Sequence, residues 1–67
     1  MIKKNLPREG DVFEKVGGPG RLWIVDRFLD VASMPLHVVL RRVNVPKDTI
    51  VVSMDALQDR RFYLYTK

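Results

Sequence analysis

The stretch from Thr49 to Tyr65, Thr-Ile-Val-Val-Ser-Met-Asp-Ala-Leu-Gln-Asp-Arg-Arg-Phe-Tyr-Leu-Tyr, constrains the fold more than any other part of the chain. The β-branched run Ile50-Val51-Val52 favours a strand and stops at Ser53, a residue suited to turns and helix starts. Met54 to Asp59 is too short for a lasting helix and long enough for one 3₁₀ turn. Arg60 to Tyr65 is aromatic-rich and strand-like. A strand, a tight helical turn and a closing strand predict an all-β fold, a small five-stranded SH3-like barrel with a short 3₁₀ turn before the last strand.

The rest of the chain supplies the remaining strands. Residues 1–9 read as a polar lead-in with Leu6 as anchor, and residues 10–67 as a single domain. Val12–Val16 alternates as a short first strand. Gly17-Gly18-Pro19-Gly20 must be a loop, because its glycines permit positive φ and its proline cannot join a ladder. Arg21–Leu29 is a second strand and Leu36–Val43 a third, joined by Asp30–Pro35. Asn44–Asp48, with Pro46 inside, turns the chain into the fourth. Helical spacing of Ile24, Phe28 and Val31, and of Leu36, Leu40 and Val43, offers a competing reading, opposed in the second case by β-branched density.

Alternation along these strands predicts two faces. Val12, Leu22, Ile24, Val38, Leu40, Ile50, Val52, Leu57, Phe62 and Leu64 are expected inside. In that phase Trp23, Val25, Val39, Val51, Tyr63 and Tyr65 point outward. An outer face this apolar is unusual for a monomer: either the N-terminal segment or a second layer covers it, or those six residues are an interaction surface for a copy or a partner.

Composition narrows the chemistry. With 67 residues the core is small, and with no cysteine there is neither a disulfide framework nor a thiolate metal site, which fits a cytoplasmic setting. No apolar run is long enough for a membrane span or a signal peptide. His37 is the one histidine, too few for a zinc site; it could meet Ser33 or Ser53 as a base only without any supporting motif. The glycine loop lacks the Gly-Lys-Ser/Thr of a phosphate loop. No catalytic residue, cofactor or metal is expected. The net charge of +4, from twelve basic and eight acidic residues, permits contact with phosphates. Arg21, Arg27, Arg41, Arg42, Arg60 and Arg61 are the candidate charges for nucleic acid, with Trp23 and Tyr63 as stacking platforms; the competing reading makes these arginines solvated surface or partners for Asp26, Asp30, Asp55 and Asp59.

Gly10-Asp11-Val12, followed by Gly17-Gly18-Pro19 and an apolar strand, resembles the opening of the YodC-like family of small bacterial proteins. That family's pattern runs Gly-Asp-Val-Val, a lysine, Ser-Gly-Gly-Pro and a hydrophobic strand; Val16 stands here in the place of its serine. The resemblance covers residues 10–25 and 50–57 and implies an SH3-like fold. Gly10-Asp11 with its following lysine, and Ala56-Leu57 after a strand, are also similar to plasmid-encoded type II dihydrofolate reductases, short SH3-like barrels that act as tetramers. Their Val-Gln-Ile-Tyr site corresponds to Thr49-Ile50-Val51-Val52, which lacks the polar glutamine and tyrosine. This second likeness implies the barrel and its use in an oligomer, not the enzyme. The expected function is thus a small non-enzymatic binding module, working through protein–protein contact or self-assembly, with single-stranded nucleic acid as the alternative partner.

Overall fold

The computed structural model describes residues 6–17 and 21–66. Part of the expected lead-in and most of the glycine loop, residues 18–20, lie outside the described residues. Five antiparallel strands form one sheet: β1 (Val12–Lys15), β2 (Leu22–Leu29), β3 (His37–Arg42), β4 (Thr49–Ser53) and β5 (Tyr63–Tyr65), with the one-turn helix α1 (Met54–Leu57) before β5. Their order is β4-β3-β2-β1-β5, so β4 and β5 are the two edges. The sheet is open where a closed barrel was expected. A physical reason lies in β5. Phe62 and Tyr63 N–H both donate to the Asp59 carbonyl, at 2.9 and 3.0 Å, which spends Arg60–Phe62 on a turn. Only three residues are left for the strand, and they are used up against β1.

Ser53 sets the start of α1. Its hydroxyl accepts from the Ala56 N–H at 3.1 Å, and its own backbone is extended, as an N-cap requires. That cap favours an α turn over the expected 3₁₀ turn. The helical alternative for residues 24–33 also gives way, since β2 pairs through Leu29.

The inner face carries the core: Phe13, Trp23, Val25, Val38, Leu40, Leu57 and Tyr63, with Phe28, Ile50, Val52 and Met54 packed against it. Val38, Leu40, Ile50, Val52 and Leu57 are where alternation placed them. The phase of β1, β2 and β5 is opposite to the one expected. Trp23, only 5% exposed, faces inward together with Val25 and Tyr63. Leu22 and Leu64 face outward, Val12 and Ile24 are half-buried on that outer side, and Phe62 sits exposed in the turn. The cause is a contest between near-equal choices. Leu22-Trp23-Ile24-Val25 is apolar throughout, so alternation alone does not fix its phase. Packing selects the larger rings, with Phe13 opposite Trp23. A bulge between Val25 and Arg27 then restores the pattern, placing Val25 opposite Leu40 and Phe28 opposite Val38 on the same inner face. Residues 10 and 11 tie β1 to the bulged strand: Gly10 N–H donates to the Val25 carbonyl at 2.9 Å, and Val25 N–H to Asp11 at 2.8 Å. Gly10 holds φ 93°, a value that disfavours any side chain.

Candidate interaction surface

The registers define the outer face row by row. One row runs Leu64, Glu14, Leu22, and then Val43, whose N–H reaches the Leu22 carbonyl at 3.0 Å. The next runs Val12, Ile24, Arg41, Thr49, and a third Arg27, Val39, Val51. Leu64 at 44% exposure, Leu22 at 36% and Val51 at 55% are open to solvent, as is Val43. Val39 lies on this face yet is 4% exposed, with Arg27 and Val51 opposite it in the register and His37 and Arg41 two residues to either side.

Of the six residues expected to make the contact, Val39 and Val51 are on this face. Trp23, Val25 and Tyr63 are core. Tyr65 is exposed but belongs to the opposite face, beside Phe13, with ring centroids 5.5 Å apart and planes at 56°. The residues missed were Leu22, Leu64, Val12, Ile24 and Val43. Seating the two largest aromatics of β1 and β2, Phe13 and Trp23, inside would have exposed them in the sequence.

The arginines do not gather in one patch. Arg27 and Arg41 share Asp26 on the outer face, at 2.7 and 3.4 Å. Arg42 lies one residue further along β3 and reaches Asp48 at 3.2 Å. Arg61 closes on Asp59 at 2.7 Å in the turn before β5. Hydrogen bonds from the Arg61 guanidinium hold the Asp59 carboxyl well below its ordinary value, at about 2. Arg21 and Arg60 are exposed and in no ion pair among the described residues.

Arg60 borders a groove of about 300 Å³ at the β5 end of the inner face. Phe13, Leu57 and Tyr63 contribute to its lining, as do Arg8 and Tyr65. Burial raises the Tyr63 hydroxyl pKa, so this ring stays neutral across ordinary pH. His37 Nδ1 lies 2.7 Å from the Pro35 carbonyl and donates to it, and the Ser53 hydroxyl is occupied as the helix cap. No helix among the described residues is long and apolar enough to cross a membrane. Compared with protein-family models, curated proteins and solved structures, the chain matches none.

Proposed function

We propose that this protein is a non-enzymatic interaction module that works by protein–protein contact, first of all with copies of itself. The observation that carries this reading is the outer face, where Leu22, Leu64, Val43 and Val51 stand exposed on both sides of the Asp26–Arg27–Arg41 cluster. Scattered apolar residues need no partner; a set aligned in neighbouring rows of one sheet is better explained by one. We read the architecture as an SH3-like barrel left open between β4 and β5. The strand order, the bulged β2 and the helical turn between β4 and β5 support that, as does the resemblance to YodC-like proteins. Replacing Leu22 and Leu64 together by glutamate adds charge at solvent-exposed positions on either side of Glu14, so circular dichroism is used to select conditions in which the sheet stays intact. Light scattering should then show association weakened at least about tenfold, since burying an unpaired carboxylate costs several kcal/mol. Unchanged association would remove this face from the contact.

The groove favours a second reading, binding of single-stranded nucleic acid. Arg8 and Arg60 border it, and Tyr65 offers an exposed ring for stacking. With four of the six candidate arginines already paired to carboxylates, only about two phosphate contacts are expected. The log–log salt slope of oligonucleotide binding should therefore be near −1.4, at about −0.7 per phosphate. Fluorescence anisotropy at low salt measures it. A slope of −3 or steeper would mean that the ion pairs open to bind phosphate.

A further inference from the structure

Strand β4 is an edge with nothing to blunt it. Its sequence, Thr49-Ile50-Val51-Val52-Ser53, contains no charge, no proline and no glycine, although natural edges are usually guarded by such residues. The ladder shows which amides are free. Met54 N–H donates to the Leu36 carbonyl and Arg42 N–H to the Asp48 carbonyl, both at 2.9 Å. Antiparallel pairs alternate, so Val38 with Val52 and Leu40 with Ile50 exchange hydrogen bonds. The amides of Thr49 and Val51 then point away from β3, where the sheet has no further strand among the described residues.

We propose that β4 pairs antiparallel with β4 of a second copy, about a two-fold axis through Val51. This goes beyond the outer-face contact above and adds a second one at the sheet edge, since Leu22 lies two strands and Leu64 four strands from β4. The strand is chemically self-complementary about that point. Val51 meets the partner's Val51 and exchanges hydrogen bonds with it. Ile50 meets the partner's Val52, two β-branched side chains on the core side. Thr49 meets the partner's Ser53, whose hydroxyl accepts from the Ala56 N–H and still has its own proton to donate. Lys47, in the turn before β4, and the partner's Asp55, in the first turn of α1, come just beyond each end of that register. Both are exposed, and neither is in an ion pair among the described residues. An isologous contact of this kind closes on itself and stops at a dimer. The charge match at its ends favours a copy of this chain over an unrelated extended peptide.

A charge-reversal cycle on the full chain tests the register, read by light scattering over a dilution series. Lys47→Glu should weaken association at least about tenfold, because the symmetry counts the repulsion twice. Asp55→Lys should do the same, and the double variant should recover most of the loss. Val51→Lys, a charge of the kind that guards natural edges, should lower the associated mass in light scattering while circular dichroism shows the sheet intact. Hydrogen exchange gives a readout independent of charge: the Val51 amide should be protected at high concentration and exposed on dilution. Association that survives both single reversals, with a Val51 amide that exchanges freely at all concentrations, overturns the edge pairing. If that association still falls in the Leu22→Glu/Leu64→Glu variant, the outer-face reading stands without it. A wild-type chain that is monomeric throughout overturns both.

Discussion

Trp23→Ala should leave much of the protein unfolded in dilute buffer at room temperature. The indole is nearly inaccessible and packs in the same cluster as Phe13, Val25, Leu40 and Tyr63. Truncating a buried aromatic costs roughly 3–5 kcal/mol, transfer and cavity together. A domain of this length has only roughly 3–10 kcal/mol to lose. Leu22→Ala, one residue away and facing outward, should cost less than about 1 kcal/mol by comparison. Urea denaturation of the two variants measures the difference. The opposite ranking would restore the phase in which Trp23 is a surface residue.

Leu57→Ala should be nearly as damaging. Leu57 is 1% exposed and is the one buried residue of α1. A four-residue helix has no stability of its own, so α1 persists because Ser53 caps it and Leu57 anchors it against the sheet. Removing that anchor should cost about 2–5 kcal/mol and loosen the turn into β5 as well. The midpoint of urea unfolding should fall accordingly. Hydrogen exchange should show β5, an edge strand paired in the sheet with β1 alone, losing protection before β3 does. A loss below about 1 kcal/mol would mean that the inner face of the sheet is closed by something other than α1.

These two positions also mark what the sequence could and could not reveal. Strand positions were legible because turn chemistry brackets them: Gly17 after β1, Pro35 before β3, Pro46 before β4, Ser53 before α1. The faces of β3 and β4 were legible because Val38, Leu40, Ile50 and Val52 pack inward in register with one another. The faces of β1 and β2 were not. In Leu22-Trp23-Ile24-Val25 both phases are apolar, and the bulge at Asp26 lets Trp23, Val25 and Phe28 share a face that a regular strand would deny them. Half of the expected contact residues thereby moved into the core, while the apolar character of the outer face survived with different members. Arg60 and Arg61 left β5 because Asp59 organises a turn there, through its backbone carbonyl and through its carboxylate on Arg61. The sequence offers Asp26 and Asp59 as arginine partners; which arginine each one takes is set by the folded geometry.

The central claim is that the apolar outer surface of this sheet is covered by another copy in solution. Light scattering of the wild-type chain from one to several hundred micromolar tests it most directly. The mass should rise above the 7.8 kDa of a single chain as concentration increases, and level off at a closed oligomer. A mass that stays at 7.8 kDa across the whole range, with circular dichroism reporting a folded sheet, would contradict it.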